Sequence, residues 1–387
     1  MKLSEICEYT TKRIETESLG VDNYISTENM LQNKGGVVAA AKVPAEKAVA
    51  FNPGDILISN IRPYFKKIWH ADKRGGCSSD VLCLRALSGI DKTYLYYLLS
   101  QDSFFEYVMS GAKGSKMPRG DKAQIMNWEV SIPDFAEQKR VGEFLKNIDE
   151  KIALNNRINH NLEEQAQALY KSWFVDFEPF KDGEFEDSEM GLIPAGWSIQ
   201  TLDSLSSIIS RGFSPNYNEN SEDLVLGQRC VRNNLIDISL ARKHNPKILG
   251  ERELNKWDIL INSTGMGSLG RVAQIFFEPK RLTFDSHLTL VRAKKDCYKQ
   301  FVGRNLLARQ DEIENMAVGS TGQTELPRDR VRAMSIICPP ESVMRSFGLI
   351  IEALSKAIQS NIEINESLSR DRDVLLPKLM SGEISIS

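Results

Sequence analysis

Two sets of cationic side chains lie on short loops bounded by glycine and proline, and their spacing suits gripping an anionic polymer rather than making or breaking bonds. Arg62, Lys66 and Lys67 cluster about Tyr64 and Phe65, while Lys113, Lys116 and Arg119 share a Gly/Ser segment. Such groups can hold phosphate oxygens and reach base edges in a groove. A later stretch supplies counterparts of different chemistry: Ser263, Thr264, Ser268 and Arg271, then Thr321, Gln323 and Arg328. The plainer reading of any one of these residues is a solvated surface side chain.

Catalytic groups are scarce. The chain holds no Gly-x-x-x-x-Gly-Lys-Ser/Thr loop for nucleotide phosphates, no Asn/Asp-Pro-Pro-Tyr run for methyl transfer to a base amine, and no Gly-x-Ser-x-Gly elbow. His287 near Asp285 reads as a local pair only. The six cysteines (Cys7, Cys77, Cys83, Cys230, Cys297, Cys338) form no Cys-x-x-Cys pair and the four histidines are scattered, so no zinc site is expected. The expectation is a chain with no catalytic residue, metal or cofactor of its own.

The elements that must position these loops occur twice. Gly54-Asp55-Ile56-Leu57-Ile58 and Trp257-Asp258-Ile259-Leu260-Ile261 both read as strands, followed by strands ending Cys83-Leu84-Arg85-Ala86 and Leu290-Val291-Arg292-Ala293. The run closing on Met117-Pro118-Arg119 parallels the one closing on Leu326-Pro327-Arg328, and Ile132-Pro133-Asp134 parallels Cys338-Pro339-Pro340. Modest helices are expected over Lys92 to Val108 and Tyr298 to Met316.

Each repeat ends in a long heptad pattern. The first seam runs through Val141, Leu145, Ile148, Ile152, Asn155, Asn159, Leu162, Leu169 and the second through Phe347, Ile351, Leu354, Ile358, Asn361, Asn365, Leu368. Because both seams carry their asparagines in corresponding places, they are expected to face one another, antiparallel, with Asn155 and Asn159 beside Asn361 and Asn365. A helix of that length would extend on the order of 50 Å at the usual rise per residue.

The chain has 387 residues, 41% hydrophobic and 26% charged, with a net charge of -3, which fits two or three folded domains and excludes a disordered class. Residues 176–190 hold seven acids against Lys181 alone, so the remainder is mildly basic. No apolar run is long enough to span a bilayer, and acids interrupt the N-terminus where a secretory signal needs an apolar core, so no membrane partner and a cytoplasmic location are expected. The fold class is α+β: two tandem mixed α/β domains with a pair of long antiparallel coiled-coil helices, related by an internal pseudo-two-fold repeat. The expected boundaries are 1–134 for the first domain, 135–175 for the central helix, 176–192 for an acidic linker, 193–340 for the second domain, 341–376 for the C-terminal helix and 377–387 for a tail.

Ile132-Pro133-Asp134-Phe135-Ala136-Glu137-Gln138-Lys139-Arg140 and Tyr170-Lys171-Ser172-Trp173-Phe174-Val175-Asp176-Phe177 resemble the central region of Type I restriction-modification specificity subunits. Ile193-Pro194-Ala195-Gly196-Trp197 resembles the entry to their second target-recognition domain, and Leu375-Leu376-Pro377-Lys378-Leu379-Met380-Ser381-Gly382-Glu383-Ile384 their C-terminal signature. The resemblance covers essentially the whole chain, with Val343-Met344 standing in the second copy where the first has Glu137-Gln138. It implies a non-catalytic subunit that reads an asymmetric, gapped site on double-stranded DNA and docks two methyltransferase subunits and, through them, restriction subunits. S-adenosylmethionine, ATP and magnesium would then belong to those partners. The alternative is a two-lobed protein-interaction scaffold without sequence-specific DNA contact.

Replacing Asn155 and Asn361 together by leucine is expected to keep the helices but loosen their register, since polar seam residues specify alignment more than stability. Circular dichroism should show unchanged helicity while sedimentation shows mixed assemblies; a single unaltered species would contradict the reading.

Overall fold

In each half of the chain the Asp-Ile-Leu-Ile run becomes a central strand of a four-stranded antiparallel sheet. The computed structural model describes residues 1–44, 47–246, 250–319 and 324–386, and it divides into two compact units, Met1–Leu154 with Ile364–Ser387, and Asn155–Glu363. It is a mixed α+β structure.

In the first unit the sheet order is Cys7–Tyr9, Val81–Ala86, Ile56–Ser59, Ile68–His70. Alternation along the strand sends Ile56 and Ile58 to one core with Tyr94, Leu95, Leu98, Phe104 and Phe105, and Leu57 to another with Ile25, Met30, Phe51 and Cys77. Both faces are covered, which explains why the run is apolar throughout rather than alternating. A second sheet runs Arg13–Ile14, Ala48–Phe51, Gly75–Cys77, Tyr24–Ile25, its last pair parallel.

The second unit repeats the frame with Ser206–Arg211, Leu288–Ala293, Ile259–Asn262 and Val272–Gln274. Ile259, Ile261 and Val291 join a core with Tyr170, Phe174, Phe301 and Phe347, while Leu260, Leu288 and Leu290 join Leu226 and Phe284. Its other four-stranded sheet also contains one parallel pair, Leu224–Leu226 with Leu282–Phe284. The added strand, Arg242–Asn245, pairs with Leu224–Leu226 here, whereas in the first unit Ala48–Phe51 pairs with Gly75–Cys77, the later member of the parallel pair.

The same register brings the same charges together in both units. Ile56 pairs with Leu84 and Ile259 with Val291, so the next residues outward meet as Asp55 with Arg85 and Asp258 with Arg292. Each guanidinium grips its carboxylate through two nitrogens, at 2.8 and 2.6 Å in the first unit and 2.8 and 2.7 Å in the second. Both aspartates are 2% exposed, and each also accepts a backbone N–H at 2.7 Å, from Asn52 and Asn255. The shared Asp and Arg of the two repeats are therefore structural.

The two long helices span Phe135–Phe174 and Glu341–Ser381. Asp134 starts the first by accepting the Glu137 N–H at 2.9 Å. In the first unit Arg372 is bound to Asp149 at 2.6 Å and Val141 and Leu145 share a core with Leu376, Leu379 and Met380. In the second, Asn361 donates to Asn159 at 2.8 Å and Tyr170 and Phe174 pack on Phe347. Rising numbers on one helix meet falling numbers on the other, so these segments run antiparallel within each unit. Every residue of the two expected seams is buried or half-buried.

Three sequence expectations need correction. Pro377 does not begin a tail but lies inside the second helix, which continues to Ser381, because Leu376, Leu379 and Met380 are held in the first unit's core and outweigh the lost backbone bond. Residues 176–192 are not a plain linker: Phe185–Ser188 and Gly191–Pro194 form a hairpin, with Ile193 in the second unit's core. The helices expected over Lys92 to Val108 and Tyr298 to Met316 each break in two, at Ser100-Gln101 and at Arg309.

Removing one partner of a buried ion pair strands the other charge. Asp258→Ala should therefore cost about 3 kcal/mol or more in urea unfolding, and adding Arg292→Met should recover much of it. A single variant as stable as wild type, or a double variant no better than the single, would refute this.

Candidate nucleic-acid interface

The two cationic loops of the first unit are zipped together. Beyond the central strand, Asn60 donates its N–H to the Asp80 carbonyl at 2.8 Å, Ile61 bridges Arg119, and the Arg62 N–H donates to the Pro118 carbonyl at 2.8 Å. Arg62 and Lys66 take left-handed backbone with φ of 50° and 49° around a tight turn at Pro63–Phe65, a conformation that costs energy for residues with a Cβ. The turn leaves Tyr64 46% exposed, with Arg62 and Lys67 about the Phe65 ring at 6.0 and 5.9 Å.

Several of the expected phosphate-gripping cations are already engaged. Lys66 pairs with Asp102 at 2.9 Å, Lys113 with Asp121 at 2.8 Å and Arg119 with Asp80 at 3.1 Å. Lys67 donates to the Thr27 carbonyl at 2.6 Å, and its partial burial lowers the ammonium from its ordinary range. Arg62 and Lys116 have no carboxylate partner among the described residues.

The second unit puts different chemistry on the same frame. Ser263, expected at the surface, is fully buried: its N–H donates to the His287 carbonyl at 2.8 Å and its hydroxyl meets that of Thr289 at 2.5 Å. Thr264 is the outward group; its hydroxyl accepts from the Gln228 amide and lies 2.8 Å from His287 Nδ1. Gly265 and Gly267, with φ of 101° and 71°, turn the loop so that Met266 stands 85% exposed. Ser268 and Arg271 brace this loop through the Gly265 and Gly267 carbonyls, at 3.4 and 2.8 Å. Arg328 is exposed at the start of the short helix Arg328–Arg332. Thr321 and Gln323 lie outside the described residues.

Backbone pairing also corrects the alignment of the two loops. Ile61 bridges Arg119, and Thr264 bridges Glu325; Lys113 bridges Arg119, and Val318 bridges Glu325. Arg119 is thus the counterpart of Glu325, not Arg328, because the ladder sets register where the Pro-Arg spelling suggested another. A cation in one unit faces the role of an acid in the other, with Glu325 held by Arg211 at 2.8 Å.

Sequence reading missed a recess of about 320 Å³, lined by Tyr217, Gln228, Arg229, Arg242, Asp285 and His287 among others. Asp285 is 7% exposed, and burial pushes its carboxyl above the ordinary carboxylate range even though it accepts the His287 N–H at 2.8 Å. The Arg242 guanidinium lies over the Tyr217 ring at 3.5 Å. The only linear trace was the Asp285/His287 spacing, since the other members come from separate strands and turns.

Among the described residues no group of three or more His, Cys, Asp or Glu could hold a metal ion, and no helix is long and apolar enough to cross a membrane. The six cysteines are free and buried.

Residues 1–164 match the family model described as the Type I restriction modification DNA specificity domain. Along its length the chain is similar to Type I restriction enzyme specificity subunits: 26% identical to the MjaIX subunit of Methanocaldococcus jannaschii, over 77% of this chain and 70% of that one. It is 22% identical to the HindI subunit of Haemophilus influenzae, over 99% and 98%. The crystal structure of the S subunit of a Type I restriction-modification system from M. genitalium shares the fold, with a TM-score of 0.61 at 16% identity over 100% of this chain and 96% of that one.

In the sequence copies, Val343-Met344 replaces Glu137-Gln138, and the structure gives the second position an inward role. Gln138 is buried, accepting the Asp91 N–H at 3.0 Å and donating to the Pro133 carbonyl at 2.9 Å, and Met344 is buried in the second unit's core.

Asp102 lies between Lys66 and Lys34, which hold its carboxyl below the ordinary value of 3.8, Lys66 chiefly. The carboxylate's hold on both lysines is complete above that pH and fades as pH falls through the lowered value. Carbon-detected NMR of Asp102 should titrate below 3.8, and Lys66→Ala should move it back up; an unmoved midpoint in the variant would contradict the assignment.

Proposed function

We propose that this chain is the sequence-reading subunit of a Type I restriction-modification complex. Residues 1–134 and 193–340 serve as two target-recognition domains contacting the halves of an asymmetric, gapped site on double-stranded DNA. The helices over 135–175 and 341–376 act as the antiparallel coiled-coil spacer and as the docking ground for two methyltransferase subunits, through which restriction subunits join. Bond chemistry, with S-adenosylmethionine, ATP and magnesium, resides in those partners, and the complex works in the cytoplasm.

The observation that carries this reading is one backbone frame bearing unlike loops: Arg62, Lys116 and Arg119 in the first unit, Thr264, Met266 and Glu325 in the second. Phosphate contacts can set position while different side chains select different bases. A protein-interaction scaffold would present the same loops to a protein surface instead, and it would lack the steep salt dependence of duplex binding.

Methylome sequencing of cells with and without the gene should reveal one bipartite motif that disappears on deletion. With purified modification complex, affinity for random duplex should fall steeply as salt rises, and Arg62→Ala with Lys116→Ala should flatten that slope by about two charges' worth. Salt-insensitive or absent binding by the assembled complex would favour the scaffold.

A further inference from the structure

We infer that His287 and Asp285 read the major-groove edge of an adenine in the half-site contacted by the second unit, an inference that rests on the DNA-reading role proposed above. The polarity assigned to the recess is one that its hydrogen bonds allow. The Gln228 Nε2 group can only donate, so Thr264 Oγ1 accepts from it and is free to give its own proton to His287 Nδ1, 2.8 Å away. With Nδ1 accepting, the neutral imidazole carries its proton on Nε2, which has no partner among the described residues. Oδ1 of Asp285 is occupied by the His287 N–H at 2.8 Å, leaving Oδ2 as an uncommitted acceptor.

Space beside that oxygen is kept by Gly227, where an added Cβ would come within 2.9 Å of Oδ2. Both residues line the recess, which on this assignment presents one donor and one acceptor. Adenine shows the complement, an N7 acceptor beside an N6 amine donor, whereas guanine would turn O6 against the carboxylate. Cytosine and thymine can satisfy only one of the two groups. Arg229 and Arg242 are exposed among the residues lining the recess, and neither has a carboxylate partner among the described residues, so their charge, Arg242 steadied on Tyr217, can serve the flanking phosphates.

The test uses the assembled modification complex and duplexes carrying its own motif, with each adenine replaced in turn by 7-deazaadenine, which lacks N7, or by purine, which lacks the N6 amine. At one adenine of one half-site both replacements should weaken wild-type binding by about tenfold or more. In His287→Ala the 7-deazaadenine penalty at that position should vanish while the purine penalty stays; in the nearly isosteric Asp285→Asn the purine penalty should shrink and guanine become tolerated there. The inference is overturned if no adenine is sensitive to both replacements, if the read base proves to be a pyrimidine, or if the penalties are unchanged in the variants. Loss of all specific binding by the wild-type complex would instead count against the DNA-reading role itself.

Discussion

A carboxylate buried at the head of a central strand, gripped by an arginine one strand away, anchors each unit of this protein. Asp55 with Arg85 and Asp258 with Arg292 hold the two middle strands in one register, and that register fixes where the chain leaves the sheet. Such a pair tolerates little slippage, because a shift of one residue would turn every side chain to the opposite face and leave the aspartate unpaired in an apolar setting. The loops after the strands inherit their starting points from this arrangement.

On the DNA-reading role proposed above, recognition is a matter of what the loops carry. In the first unit the ladder between residues 61 and 119 joins two cationic segments into one surface, and several of its charges are balanced by Asp80, Asp102 and Asp121. Ion pairs of this exposed kind contribute little stability, so they orient the lysines and arginines more than they hold the fold. In the second unit the corresponding surface is built from hydroxyls, an amide, an imidazole and a buried carboxylate, with Arg229 and Arg242, which have no carboxylate partner among the described residues, alongside. Groups of that type distinguish base edges better than phosphates, which are alike along the duplex.

The long helices belong to the same logic of register. Asn361 donates to Asn159 between the helices, and Arg372 binds Asp149 in the other unit. Polar groups that are satisfied only in one alignment penalise the others. The helices also complete both units: Val141 and Leu145 in one core and Tyr170, Phe174 and Phe347 in the other show that they are walls of the folded bodies.

Much of this was legible without coordinates. The doubled Asp-Ile-Leu-Ile strands, the Arg that closes each partner strand, the inward faces of the long helices and the contact of Asn159 with Asn361 follow from local spacing, because periodicity and short-range pattern reflect which face a residue turns inward. Ser263 could not be told from a surface serine, since its burial depends on His287, Thr289 and Leu326 arriving from distant segments. The equivalence of Arg119 with Glu325 was likewise settled by backbone bridges rather than by the matching Pro-Arg spelling. Pro377 stays helical only because residues far away in sequence enclose Leu376 and Leu379. The recess around Asp285 and His287 draws its walls from segments that meet only when the sheets form. Pattern along the chain determines which elements exist and which face they bury; long-range hydrogen bonds and packing decide where their polar groups converge.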